Sequence, residues 1–234
     1  MNIRIILLSA AAMMTLALLA ASRSSKVASA PGEYMEVVSF DTGVERSKAP
    51  LPADESARFN HYKPVIRWAS SRDAVEYLVT GSPKGVKADA VESAVETLDK
   101  EIDSRRFKRS SRSKQKNPCT GEPNTISWEP GDGPGGVLAT AGVCYNTKTN
   151  EIAGFRVVLD SLEKWSTKGK SDAFDVESVL AHEMGHAAGL DHVNGRTNAL
   201  LTMYPSTAPG ETHKRSLGKG ESRVGRALSP FERQ

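Results

Sequence analysis

The stretch AHEMGHAAGLDH places His182, Glu183, His186, Gly189 and His192 within eleven positions: three nitrogen ligands, one carboxylate and one turn former. On a helix, residues four apart lie one above the other. His182 and His186 can therefore present their imidazoles to a single ion, with Glu183 beside them. Gly189 is placed to end that helix, because glycine accepts the left-handed conformation that reverses the chain. His192 can then swing back as the third ligand. Three protein ligands leave one tetrahedral position open, which is the mark of a catalytic zinc, whereas a structural zinc is closed by four. A metal that acidifies water beside a carboxylate base is hydrolytic chemistry. Ordinary residue usage gives this five-position pattern by chance in on the order of one in 10^5 chains of this length, so it is read as a site. His61 and His213, the remaining histidines, are read as solvated loop residues.

The elements that must hold these residues show in the hydrophobic pattern. Residues 74–80 (AVEYLVT) read as a strand followed by the turn signal GSPKG. In DAVESAVETLDKEI, Val91, Ala94, Val95, Leu98 and Ile102 recur at helical spacing and predict an amphipathic helix. The basic stretch 100–116 has almost no apolar partners and reads as a solvated edge strand and loop, where lysine and arginine discourage edge pairing. NTISWEP, then GDGPGGVLATAGVCYN, then IAGFRVVLD supply three further strands, the second entered through a glycine-rich loop. Asp172 and Asp175 give an acidic helix start. Val176, Val179, Leu180 and Ala187 form the apolar stripe of the helix that carries the motif. Val179 shares the histidine side, so the histidines are expected to border the core, shielded on one side. KGESRVGRALS near the C-terminus is a weak helix with one narrow apolar stripe.

A length of 234 residues allows one ordinary domain and a leader. Hydrophobic content of 38%, charged content of 25% and a formal charge of +3 exclude a disordered or membrane-embedded chain. Aromatic content is 6% and no stacking pattern accompanies the basic stretch, so nucleic acid is not a partner the sequence points to. Arg4, the apolar run 5–21 and the small residues Ala28, Ser29 and Ala30 have the layout of a secretory signal peptide over 1–30. An uncleaved membrane anchor is the alternative. Residues 31–60, rich in Ser, Pro, Ala and charge, read as a flexible lead-in or short pro-segment, and 61–234 as the catalytic domain. The expected product is secreted or extracytoplasmic, monomeric and free of the membrane once mature. Cys119 and Cys144 form an isolated pair, most simply one disulfide in an exported chain, with free thiols the alternative.

With the motif extended to HExxHxxGxxH and Met203, in LLTMYPS, standing eleven residues after the third histidine, the sequence resembles the metzincin zinc endopeptidases. Within them it is most similar to the matrixins, including bacterial members, on DGPGGVLA at 132–139, LDSLEKW at 159–165, LDH at 190–192 and MYP at 203–205. The resemblance covers residues 62–230. It implies an α+β fold: a twisted five-stranded mixed sheet, two long helices, and a short C-terminal subdomain with a third helix. It implies a zinc-dependent endopeptidase that acts on peptide or protein substrates, with Glu183 as general base. Met203 would form a hydrophobic floor beneath the zinc, and Tyr204 and Pro205 would shape the pocket for the residue after the scissile bond. The edge strand near 137–141 would hold the substrate as an added antiparallel strand. A calcium site is implied at Asp132, the carbonyls of Gly133, Gly135 and Val137, and Asp160 and Glu163. The alternative is that these acids only solvate a loop. Thr140 and Val158 stand where animal matrixins bind a second zinc, so that ion is expected to be absent. No cysteine precedes Cys119 to serve a thiolate latch, and Val193 replaces the usual serine. Two rivals remain: a catalytically inactive zinc-binding protein on the same scaffold, and a peptidase that uses a downstream glutamate in place of His192.

Overall fold

The computed structural model describes residues 26–29, 33–43, 62–70, 73–104, 106–193, 195 and 198–230. The leader lies outside these except for 26–29, and His61 lies outside them too. In chain order the elements are β1 (Lys26–Ser29), β2 (Tyr34–Gly43), β3 (Val75–Thr80), α1 (Ala88–Glu101), β4 (Phe107–Arg109), β5 (Asn124–Glu129), β6 (Val137–Asn146), β7 (Ile152–Asp160), β8 (Trp165–Ser166), β9 (Phe174–Asp175), α2 (Val176–Ala187), β10 (Ser206–Thr207) and α3 (Lys219–Leu228).

The five strands expected from the pattern are β3 to β7. They are parallel except where β6 runs antiparallel to β7. The sheet is larger than expected, however. Its order is β1-β2-β6-β7-β5-β3-β4, with β10 joined to β2, so β1, β2 and β10 extend five strands to eight. Residues 34–43 are thus a strand, where an unstructured lead-in was expected. The reason is the free edge of β6: an open edge exposes a row of unpaired N–H and C=O groups, and β2 satisfies it along the register from Tyr34↔Asn146 to Thr42↔Val137. Val37 and Ser39 of β2 become buried by this docking, and Glu36 meets Arg156 Nε at 3.1 Å.

Helix α1 buries Val91, Ala94, Val95 and Leu98, the stripe set by its sequence. At its end the buried Asp99 accepts the N–H of Phe107 at 2.9 Å and so fastens the turn into β4. On β4, Arg109 pairs with Asp89 and Glu92 of α1, which keeps this basic edge strand solvated and attached. Helix α2 packs against α1, β6 and β7. It differs from the single-stripe expectation: every residue but Glu177 is buried. A helix enclosed on all sides is a core helix, and its polar residues must then be accounted for by specific partners.

Candidate metal centre

Helix α2 begins at Asp175, whose carboxylate accepts Ser178 N–H at 3.0 Å and satisfies an orphan donor of the first turn. The same carboxylate takes both Nε and Nη2 of Arg215, at 2.9 and 2.7 Å, anchoring the helix start to the C-terminal segment. At the other end Leu190 N–H bonds to Gly185 O at 3.0 Å and Gly189 N–H to His186 O at 2.9 Å. This is the Schellman arrangement, and it needs the φ of +98° that Gly189 adopts. Trp68 Nε1 donates to Ala187 O at 2.8 Å, filling another carbonyl of the last turn.

The helix and its reversal bring the three histidines together. His182 Nε2 lies 3.1 Å from His186 Nε2 and 3.1 Å from His192 Nε2, and the third side of the triangle is 3.2 Å. The outer nitrogens are committed elsewhere: His182 Nδ1 is 2.7 Å from Thr202 O, and His186 Nδ1 is 2.8 Å from Leu190 O. A carbonyl only accepts, so these Nδ1 atoms carry the protons, and the facing Nε2 atoms of His182 and His186 present lone pairs to one another. Such an arrangement repels unless a cation sits among them. Tetrahedral zinc at about 2.0–2.1 Å from nitrogen sets its ligands about 3.3 Å apart, close to the observed spacing. The donor set therefore fits zinc. Burial pushes His186 down to about 4, and burial with the neighbouring histidines pushes His182 well below its ordinary value, so both rings are held neutral as a metal requires.

Depth is the surprise. His182, His186, His192 and Glu183 are all buried, where histidines shielded on one side only were expected. Part of the covering over His186 comes from Tyr62 and β2. Tyr62 Oη lies 2.9 Å from His186 Nδ1 and 2.9 Å from Ser39 Oγ of β2, and burial pushes the Tyr62 hydroxyl far above its ordinary pKa. Tyr62 carries no motif in the sequence, and only the fold places it beside a ligand.

Met203 is fully buried, its sulfur filling the space where a side chain on Gly185 would stand. The segment is held from α3. Buried Glu221 accepts Met203 N–H at 2.8 Å, Thr202 N–H at 3.3 Å and Gly218 N–H at 2.7 Å. Because Thr202 O in turn orients His182, Glu221 supports the site through the backbone. Burial pushes its carboxyl above the ordinary value, while the three N–H donors pull it the other way. Sequence reading missed Glu221, although a glutamate three residues past the helix start is a recognisable cap signal. It also missed Lys214, which is buried with Nζ donating to Tyr204 O at 3.2 Å and to Ser206 O, 5.3 Å from the Tyr204 ring centroid.

A sequence profile of the matrixin family matches residues 67–219, and β3 to β7, α2 and the histidine triangle all lie within that span. The chain belongs to the matrixin family. It is 34% identical over 103 residues to Metalloendoproteinase 1 of Glycine max, a match that covers 39% of this chain and 28% of that relative's length. In this matrixin Tyr204 and Pro205 are partly buried beside Met203, and Cys119 and Cys144 are joined as a disulfide. The acids of the glycine-rich loop are gathered, but through N–H groups. Asp160 accepts Gly131 and Gly133 N–H at 2.9 and 3.0 Å, Glu163 accepts Gly135 N–H, and Asp132 accepts Val137 N–H at 3.0 Å. Burial first, then the nearby Asp160 and Asp132, push the Glu163 carboxyl upward. His213 is exposed, on a single helical turn.

Proposed function

We propose that this chain is a secreted zinc-dependent endopeptidase with His182, His186 and His192 as the metal ligands and Glu183 as the general base. The observation that carries the reading is the triangle of Nε2 atoms, with two of its outer nitrogens fixed as donors by backbone carbonyls. Zinc, when bound there, makes a water acidic near neutral pH and polarises the scissile carbonyl. Glu183, one residue along the same helix from His182, accepts the proton of the attacking water and hands it to the leaving amine. Met203 forms the apolar floor, and Tyr204 and Pro205 form one wall of the pocket for the residue after the cleaved bond. The edge of β6 aligns the peptide by backbone hydrogen bonds, which tolerate varied sequences. Asp132, Asp160 and Glu163 make the glycine-rich loop a place for a calcium ion, which would relieve the mutual repulsion of these carboxylates. The base and all three ligands are present, whereas an inactive scaffold has no need of them.

The test is a peptide-library digest by the zinc-loaded chain, with and without a chelator, beside Glu183→Ala. Cleavage that stops with chelator and with Glu183→Ala, while the variant keeps its zinc, is the expected result. Undiminished turnover by Glu183→Ala would sink the assignment.

A further inference from the structure

Seven basic residues and no acid lie between positions 105 and 116, and the chain's formal charge of +3 becomes −4 when those seven are set aside. Positive charge is therefore concentrated in one segment of an otherwise acidic chain. Two of its members serve the fold: Arg106 is buried and donates to Ala69 O at 3.1 Å, and Arg109 is taken by Asp89 and Glu92. Lys108, Arg112, Lys114 and Lys116 are exposed. Lys116 meets Glu122 at 3.8 Å, and Lys108 stands across from Glu76 in the β3–β4 register. Among the described residues, Lys108, Arg112 and Lys114 form no ion pair. Edge protection accounts for Lys108 on β4, but Arg112, Lys114 and Lys116 lie beyond the strand. Their backbone is nonetheless held. Gln115 accepts Glu76 N–H at 2.7 Å and donates to Ala74 O at 2.8 Å, which clamps the segment to the start of β3. Asn117 packs over Gly154 of β7, where a β-carbon would come within 2.7 Å of its side chain, and the Cys119–Cys144 disulfide ties the next turn to β6. Cations on a fixed frame lose little backbone freedom when an anion binds.

We propose that Lys108, Arg112, Lys114 and Lys116 form a binding surface for a linear acidic polysaccharide. The chemistry of the segment selects this class. Phe107, its aromatic residue, is buried, so no ring is offered for a base to stack on. The loop is fastened against the sheet and presents no helix or ribbon to a major groove. Val65 and Leu162, the exposed large apolar side chains among the described residues, lie in other segments, so none is here to enter a membrane or fill a protein's pocket. A flexible chain with charge on each unit needs only what this segment supplies, ammonium groups and a guanidinium that pairs with oxyanions two bonds at a time. Position matters as well. β4 is separated from β6 by β7, β5 and β3, about 19 Å at the usual strand spacing, so a polymer lying along β4 leaves the β6 edge clear. The surface would hold the chain on an acidic matrix without covering the metal centre.

The experiment measures binding of a heparin oligosaccharide to the zinc-loaded full chain by calorimetry at about 50 and about 200 mM salt. Three cation contacts to a single flexible strand give a slope of about −2 in log affinity against log salt, so binding should weaken roughly fifteenfold between the two. The triple variant Lys108→Gln, Arg112→Gln, Lys114→Gln should lose at least about tenfold in affinity and most of that salt slope. Lys168→Gln, Lys170→Gln, Arg223→Gln removes the same charge from other exposed positions and should bind like the parent. Arg112→Gln, Lys114→Gln alone leaves β4 untouched and should already weaken binding at least about threefold, which keeps the test valid if the triple variant disturbs the strand. No binding by the parent, or equal loss in the two triple variants, would overturn the proposal. A DNA duplex or phosphatidylserine vesicles binding as tightly as the oligosaccharide would overturn it too. Binding is read without any peptide hydrolysis, so its failure leaves the peptidase reading standing.

Discussion

Replacing Glu221 by alanine removes the acceptor that holds the Met203 turn. In the folded chain its two carboxylate oxygens take three backbone N–H groups, those of Met203, Thr202 and Gly218, and the residue is completely buried. A buried donor left without a partner costs about 1–3 kcal/mol. Water entering the space left by the side chain would recover part of that, so a total loss of about 3–5 kcal/mol is expected. For a chain of this size each kcal/mol lowers the melting temperature by about 2–4 °C, which gives a drop of roughly 6–20 °C. Zinc should loosen as well. Thr202 O orients His182, and disturbing a partner one step removed from a metal ligand typically weakens binding about 10- to 100-fold. Thermal unfolding of the zinc-loaded protein and competition with a chelator of known affinity measure the two effects. A variant that melts within about 2 °C of the parent and holds zinc equally well would refute the idea that α3 supports the site through Glu221.

Other consequences are equally direct. Gly189→Ala forces a side chain onto a φ of +98°, with its β-carbon 3.0 Å from Ile66 O. At least about 1–2 kcal/mol should be lost, together with zinc affinity, because this reversal delivers His192; chelator competition on a folded variant reads both. Exchanging Cys119 and Cys144 for alanine opens a loop of 25 residues, worth about 3.5 kcal/mol by chain entropy, and denaturant unfolding should show that loss at unchanged zinc content. In the metal-free protein, His186 is held near 4, below the 6.5 of a free imidazole. The unfolded chain therefore takes up a proton that the folded chain refuses. Stability should fall as pH drops through about 6.5 toward 4, by up to about 3 kcal/mol from this group, and urea unfolding at pH 7.5 and 5 should show that direction. A stability that rises over the same interval would contradict it.

Much of the fold is legible because it rests on local periodicity. The helical spacing of Val91 to Leu98 and the alternation around Phe155, Val157 and Leu159 each identify an element and its buried side. The histidine motif is legible for the same reason, since i and i+4 on a helix and a glycine after it fix geometry within a dozen residues. What escapes sequence reading is what depends on distant partners. Residues 34–43 mix apolar and polar types on both faces, and they become a strand because the edge of β6 is there to receive them. Tyr62 is 124 residues from His186, and no spacing rule links them. Lys214 looks like part of an exposed basic loop in HKRS, yet the carbonyls of Tyr204 and Ser206 draw it inside. Glu221 resembles an ordinary helix-start acid and is one, for Gly218, but its other two bonds cross to the Met203 turn.

Zinc stoichiometry and peptide hydrolysis, measured together on the parent chain and on Glu183→Ala, bear most directly on the metal centre. One zinc per chain in both is expected. Hydrolysis should fall by several orders of magnitude once Glu183 is removed. A chain that binds no zinc at the three histidines, or that cleaves peptides as well without Glu183, would contradict the assignment of this site.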